Sequence, residues 1–343
     1  MNNTVILIGA MGLKGVVYDG QTFKNRVFLQ QFSKHFDKVI PINTTGWKRR
    51  PWVLLQLLWS LVWQRRAKVV ISTCDENAYR VVKFLYYIRL QKDVFYWVVG
   101  GGLQNFFAEG RFQAKYFYFL KQVLVQSPNM KKELCKYGLV NVSYVPNSKI
   151  IYTFPEHEYG DMKKFVFVSR IIREKGYGEI IDSVKTLNEE GLRERFTVTF
   201  YGLNDEVNDF KERIASLGNV EYKGLLDLRS AAGYKELSSY DVFLFPTYYP
   251  NEGFPGVLID AFIAGLPVIA TDWNYNREII KDGVTGIVIP PKDGSALVTI
   301  MRRVINSQYD LAQMSKNART DANKYDANVV LGATILKEIG LIE

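Results

Sequence analysis

Cysteine and histidine are nearly missing from this chain. Two cysteines, Cys74 and Cys135, are too few for a disulfide framework or a cysteine-built zinc site. Two histidines, His35 and His157, leave little room for histidine-based metal or triad chemistry. No Asp-x-Asp triplet occurs, so a metal clamping a diphosphate is not indicated. Eleven prolines and no low-complexity tract exclude a long flexible spacer. No internal repeat is evident. Acidic residues are scarce in the first half, with 7 against 22 lysines and arginines over residues 1–150, a net charge of +15. The remainder holds 28 acids and 22 bases, a net −6. Long apolar runs are also missing. The most lipid-like stretch, Pro51 to Trp63, spans about 20 Å as a helix, short of the roughly 30 Å hydrocarbon core.

What is present reads as globular. Hydrophobic residues make up 48% and charged residues 23%, and mean hydropathy is −0.08. These values exclude disorder, collagen and a polytopic membrane protein. A length of 343 residues predicts two domains. The N-terminus lacks a basic leader region, and Val5-Ile6-Leu7-Ile8-Gly9 reads as a first strand rather than a signal peptide. The basic first half points to a polyanionic partner: nucleic acid, an anionic membrane or a phosphorylated lipid. The Trp52–Trp63 stretch carries three tryptophans between Lys48-Arg49-Arg50 and Arg65-Arg66. That pattern suits a helix lying at headgroup level; a buried helix with solvated ends is the alternative. A second basic-aromatic run, Arg111 to Lys121, repeats the chemistry.

Short apolar runs alternate with longer amphipathic ones. Val5–Ile8, Lys38–Ile42, Lys68–Ser72, Val94–Val99 and Gln122–Gln126 predict strands, with helices near 22–35, 51–66, 76–91, 111–120 and 129–137. After residue 160 the series restarts. Lys164–Val168, Phe196–Tyr201, Val220–Lys223, Val242–Phe245, Pro267–Thr271 and Gly286–Ile289 predict strands, with helices near 177–190, 206–217, 230–238 and 256–264. Such a series predicts parallel sheets covered on both faces. The expected division is 1–155 and 156–325, followed by a C-terminal helix over 326–343 that crosses back to the first domain. Two such domains would form a cleft lined by strand C-terminal ends, where open α/β sheets bind ligands.

Four motifs fall at strand ends. Gly9, Gly12 and Gly15 are spaced G-x-x-G-x-x-G after the first strand, with no acid closing the second, so the nicotinamide fingerprint is poorly matched. Thr22 is a candidate cap for the helix that follows. Gly100-Gly101-Gly102 marks either a close approach by a ligand or a tight turn. Arg170 and Lys175 flank a loop after the second domain's first strand, a pairing that suits a pyrophosphate; a surface ion pair with Glu174 is the alternative. The most specific string is Pro246-Thr247-Tyr248-Tyr249-Pro250-Asn251-Glu252-Gly253-Phe254-Pro255-Gly256-Val257-Leu258-Ile259-Asp260. It places Glu252 before a glycine turn, a helix start near Gly256 and a second carboxylate, Asp260, in the early turns. Backbone N–H groups there can hold phosphate, and the carboxylates can accept from sugar hydroxyls.

Glu252-Gly253-Phe254-Pro255-Gly256, Ala264-Gly265-Leu266-Pro267-Val268-Ile269-Ala270-Thr271, the Asp282 to Gly286 turn, and Ser169-Arg170-Ile171 with Glu174-Lys175-Gly176 resemble the family 4 retaining glycosyltransferases, of GT-B fold. The match is specific over about 165–295 and loose over 1–150. The resemblance implies an α/β protein of two Rossmann-like doubly wound domains. It implies that Arg170 and Lys175 hold a donor diphosphate, that Glu252 contacts the donor sugar and that Asp260 binds ribose. Gly253, Phe254, Pro255, Gly256, Val257 and Leu258 would line the phosphate site, with Gly15 contributing from the first domain, and Leu225 would pack on the base. Asp260 stands where the usual pattern has Glu. Gly100-Gly101-Gly102 stands where many relatives carry His.

The expectation is a metal-independent transferase that moves a sugar from a nucleotide-sugar donor, a UDP-sugar, to a lipid-linked glycan in capsule, exopolysaccharide or lipopolysaccharide synthesis. It would need no cofactor and no nucleic acid, and would sit on the anionic inner face of the cell membrane. Two rivals remain: a nucleotide-sugar epimerase or hydrolase of similar fold, and a nucleic-acid-binding protein using the basic half. Against the second, the basic residues are interleaved with apolar runs and no nucleic-acid module is recognisable.

Overall fold

A computed structural model describes residues 3–12, 20–203 and 207–343. The chain forms two units, Met1–Ile150 with Lys324–Glu343, and Ile151–Asn323. In the first, six strands, β1 (Thr4–Gly9), β2 (Lys38–Asn43), β3 (Lys68–Ser72), β4 (Val94–Trp97), β5 (Gln122–Val125) and β6 (Val142–Tyr144), lie parallel in the order β2-β1-β3-β4-β5-β6. Strands β1, β3, β4 and β5 are almost wholly buried, because helices cover both faces, and so they read as continuous apolar runs. Pro41 sits in edge strand β2, where a missing N–H costs no ladder bond on the open side.

The second unit repeats the plan with β7 (Lys163–Val168), β8 (Phe196–Tyr201), β9 (Val220–Tyr222), β10 (Val242–Phe245), β11 (Val268–Thr271) and β12 (Gly286–Ile289). Their order, β12-β11-β10-β7-β8-β9, is that of a dinucleotide-binding sheet, and its direction reverses between β7 and β10. In the first unit the reversal falls between β1 and β3. Each unit has its own core. One gathers Phe165, Phe196, Phe200, Leu244 and Met301; the other gathers Val5, Phe28, Trp97 and Leu124 with Leu331, Leu336 and Leu341 from the C-terminal segment.

Several details differ from the sequence reading. Strand β6 and the helices Leu103–Ala108, Gly294–Ile305 and Leu311–Ala322 were not predicted. The C-terminal helix is two short helices, Ala327–Val330 and Ala333–Glu338, separated at Gly332. Thr22 does not cap a helix: the helix begins at Gly20, and Thr22 lies inside it, buried. Over 111–120 the only helix is a single turn, Ala114–Tyr116. Its aromatics turn inward instead of forming a surface: Phe112, Tyr116, Phe117 and Leu120 are buried, with Phe112 stacked on Tyr79 at 4.1 Å. The run's aromatic residues therefore belong to the core, apart from exposed Tyr118, while Arg111, Gln113, Lys115 and Lys121 remain exposed.

The helix Trp52–Trp63 is amphipathic in an unusual sense. Val53, Leu57, Ser60 and Leu61 are buried, while Trp52, Leu54, Leu55, Leu58, Trp59, Val62 and Trp63 are exposed. It is apolar on both faces and covered on one, so the alternative of an ordinary buried helix does not hold. No helix among the described residues is long and apolar enough to cross a membrane.

Candidate functional site

The second unit's sheet reverses between β7 and β10, and ligands of open α/β sheets bind outside the strand ends at such a point. The two most specific motifs leave the sheet there. After β7 the chain runs through Arg170 to the turn Arg173–Lys175 and into the helix Tyr177–Glu189. After β10 it forms the loop Pro246–Pro255 and enters the helix Gly256–Ala264.

Gly176 lets these loops meet. Its φ is +84°, and a Cβ there would lie 2.3 Å from the Pro246 carbonyl oxygen, so only glycine fits. The Tyr248 amide then donates to the Glu174 carbonyl at 2.8 Å. With the loops locked together, Lys175 Nζ forms an ion pair with Glu252 Oε2, and the two side chains are only 9% and 11% exposed. The surface ion pair with Glu174 is therefore not the arrangement. Lys175 also lies 4.9 Å above the Tyr249 ring, and Arg170, exposed, lies 5.3 Å from the same ring. Tyr249 thus gathers both cations on an aromatic face.

Residues that the sequence did not single out hold this arrangement. The buried Thr247 hydroxyl lies 3.2 Å from Glu252 Oε2 and 3.3 Å from the Glu174 carbonyl, and it accepts the Tyr249 amide at 3.2 Å. The segment after β11 pins the loop from the other side. Thr271 donates to the Thr247 carbonyl, Trp273 Nε1 to the Tyr249 carbonyl at 2.8 Å, and Asn274 Nδ2 to the Glu252 carbonyl at 2.8 Å. Thr247 and Tyr249 lie within the quoted string, but no sequence signal marks Trp273 and Asn274 as its supports.

Of the remaining candidates, Gly253 is half-buried, and Phe254 and Pro255 are buried beneath the loop. Pro255 precedes the helix Gly256–Ala264 without a side-chain cap. The Leu258 amide already donates to the Pro255 carbonyl at 3.1 Å, which leaves Gly256 and Val257 as the amides for an anion. Asp260 lies in the helix that follows the loop. It is 3% exposed, and its Oδ1 accepts from the buried Tyr234 hydroxyl at 2.5 Å. Burial and then the Asp260 charge push Tyr234 well above the usual tyrosine range, so it stays a donor. Leu225, beyond β9, is 41% exposed. Gly15 lies outside the described residues. Gly9 serves packing: a Cβ there would lie 2.3 Å from the Ser72 carbonyl and 2.4 Å from Asn25 Nδ2. Among the described residues no three His, Cys, Asp or Glu side chains gather as metal ligands.

The arrangement offers two cations, one buried carboxylate and an uncapped helix start at a sheet reversal. It can bind a diphosphate beside a hydroxyl-bearing group. The family model described as "Glycosyl transferases group 1" matches residues 149–321, just over half the chain. The amylovoran biosynthesis glycosyltransferase AmsK of Erwinia amylovora is 29% identical over 167 residues, 46% of this chain and 39% of AmsK. An Escherichia coli UDP-Gal:alpha-D-GlcNAc-diphosphoundecaprenol alpha-1,3-galactosyltransferase is 26% identical over 236 residues, 63% of this chain and 57% of that protein. These matches thus span less than two thirds of the relatives' own length. The crystal structure of HepE from Anabaena, in complex with UDP, superimposes with a TM-score of 0.71 over 99% of this chain and all of HepE, at 16% identity.

Proposed function

The chain belongs to the glycosyl transferases group 1 family, and from that membership we propose that it transfers a sugar from a nucleotide-sugar donor to a lipid-linked glycan acceptor. Its fold is GT-B. The proposed reaction retains anomeric configuration, as in the family 4 enzymes, and serves bacterial capsule, exopolysaccharide or lipopolysaccharide synthesis. The observation that carries this reading is the Lys175–Glu252 pair at the β7/β10 reversal, with Arg170 beside it on Tyr249.

In this reading the donor is a UDP-sugar; HepE's complex with UDP supports the choice. The diphosphate lies at the amides of Gly256 and Val257, against Arg170 and Lys175. These cations stabilise the charge that builds on the leaving group, an interaction stronger in the transition state than in the ground state. The departing phosphate oxygen accepts the acceptor hydroxyl's proton on the same face. Glu252, oriented by Lys175 and Thr247, meets the sugar hydroxyls. Asp260, oriented by Tyr234, anchors the ribose, and Leu225 packs on the base. No step calls for a metal or cofactor. In this reading the enzyme sits peripherally on the inner face of the cell membrane, which the exposed apolar face of Trp52–Trp63, flanked by basic residues, supports.

A panel of nucleotide sugars tests the reading. A ligand that binds only the folded chain raises its melting temperature. One UDP-sugar should do so, and Arg170→Ala should lose the effect. No stabilisation by any nucleotide sugar would remove the reading, and free-sugar release without acceptor would favour a hydrolase.

A further inference from the structure

The first unit's sheet reverses between β1 and β3, and two cavities open at its strand ends there. One, of about 460 Å³, is of mixed character, lined by Ala10 and Trp47 together with the polar side chains of Gln21, Thr45, Asn77, Lys48 and Arg49. The second, of about 290 Å³, is almost wholly apolar. It lies between the helices Trp52–Trp63 and Asp75–Tyr87, with Val53, Leu54, Leu57 and Leu58 from one and Val81 and Phe84 from the other. Thr44, Trp47, Thr73 and Asn77 line both, so the two adjoin. Arg80 is the one charged residue among the described residues of the apolar lining.

The chemistry of this double cavity is that of an amphiphile with an anionic head. Lys48 and Arg49 supply positive charge at the polar end, and Arg80 stands beside the junction. Both helices begin there, but the Val53 and Leu54 amides already donate to the Arg50 and Pro51 carbonyls, so the cations carry the anion site. Glu76, in the first turn of the helix Asp75–Tyr87, is already paired with Arg111 at 2.5 Å. From the junction the apolar slot runs between the helices beside the exposed side chains of Leu54, Leu58 and Phe84. A chain leaving the slot therefore emerges beside the helix that exposes Trp59 and Trp63.

We propose that the adjoining cavities anchor the acceptor's carrier, a single-chain prenyl phosphate or diphosphate lipid, with its phosphate at Lys48, Arg49 and Arg80 and its first isoprene units in the interhelical slot. The proposal rests on the lipid-linked acceptor reading above and gives that acceptor a site. Affinity should grow with chain length, because each buried methylene multiplies binding about fourfold.

Photolabelling with a diazirine-bearing farnesyl diphosphate tests this in the absence of any sugar donor. The label should map by mass spectrometry to residues 47–58 and 77–84. Unlabelled farnesyl diphosphate should compete at least tenfold better than farnesol, geranyl diphosphate or inorganic pyrophosphate. Leu54→Asp with Leu58→Asp should abolish labelling. Leu55→Asp, on the same helix but outside the slot and 68% exposed, should preserve it and so control for folding. Lys48→Gln with Arg49→Gln should bring farnesyl diphosphate down to the level of farnesol. Labelling elsewhere, unchanged labelling in the Leu54/Leu58 variant, or equal competition by dioctanoyl phosphatidylglycerol would overturn the proposal. Persistent transfer to a lipid-linked acceptor in that variant would sink the slot and leave the transferase reading standing. Loss of all nucleotide-sugar binding by the wild type would sink the transferase reading alone.

Discussion

Arg170 and Lys175 share one motif, yet the structure separates what their loss should do. Lys175 is paired with Glu252 where both side chains are about nine-tenths covered. Lys175→Ala leaves that carboxylate without its cation, and breaking a buried pair costs about 3–5 kcal/mol. Thr247 still reaches Glu252 Oε2 at 3.2 Å, so the lower end, about 3 kcal/mol, is expected. In a unit the size of Ile151–Asn323 each kcal/mol lowers the melting temperature by about 2–4 °C. Lys175→Ala should therefore melt about 6–12 °C below wild type. Arg170 is exposed and touches the Tyr249 face, so Arg170→Ala should stay within about 0.5 kcal/mol of wild type. Both should still reduce turnover at least tenfold, since a contact to the leaving group contributes about 2–4 kcal/mol. Glu252→Gln added to Lys175→Ala should restore most of the lost stability, because no unpaired charge remains buried. Calorimetry of the unliganded variants, with single-turnover assays, makes the test. Equal melting of the two single variants, or a double variant no more stable than Lys175→Ala, would refute the reasoning.

Three further outcomes follow from the same geometry. Glu252→Gln should lower kcat, while Asp260→Asn and, more mildly, Tyr234→Phe should chiefly raise the donor KM, because nucleotide contacts are made alike in ground and transition states; the reverse split would exchange the two roles. Burial pushes Asp75, bonded by Tyr96 at 2.6 Å, up to about 7 from an ordinary 3.8, so the folded state holds a proton that the unfolded chain has released. Stability should fall as pH rises from about 4 to 7, by on the order of 4 kcal/mol from this group; Asp75→Asn should remove that slope, and urea titrations with equal pH dependence in both proteins would refute it. Buried Lys24, lowered to about 7, acts in the opposite sense, adding stability as pH rises from about 7 to 10.5. The protein should cosediment with anionic liposomes at low salt and dissociate as salt rises, and replacing Arg49, Arg50, Arg65 and Arg66 with Gln should weaken binding at least tenfold; no binding by the wild type, or no change in the variant, would remove the membrane placement.

Much of the second unit was legible in the sequence. Strands such as Val242–Phe245 and Gly286–Ile289 are fully apolar runs because helices cover both faces of a parallel sheet, and that pattern is local. The Arg170–Gly176 and Glu252–Gly256 strings carry their chemistry in residue type and spacing. The Arg111–Lys121 run misled because composition says which residues are aromatic and not which way they face; Phe112 and Phe117 are packed against Tyr79 by a segment far away in sequence. Strand β6, Val142–Tyr144, escaped the sequence reading although the equally short β9 did not. Tertiary structure alone decided that Lys175 meets Glu252, that Tyr234 closes on Asp260 and that Trp273 and Asn274 hold the β10 loop. Each of these contacts joins residues more than 20 positions apart, and their meeting depends on the strand order β11-β10-β7, which no local pattern encodes. The sequence by itself also determined that the Trp52–Trp63 helix is apolar on every side. Only the packed structure decided that one face lies against the sheet while seven large side chains remain uncovered, because burial depends on what the rest of the chain leaves exposed.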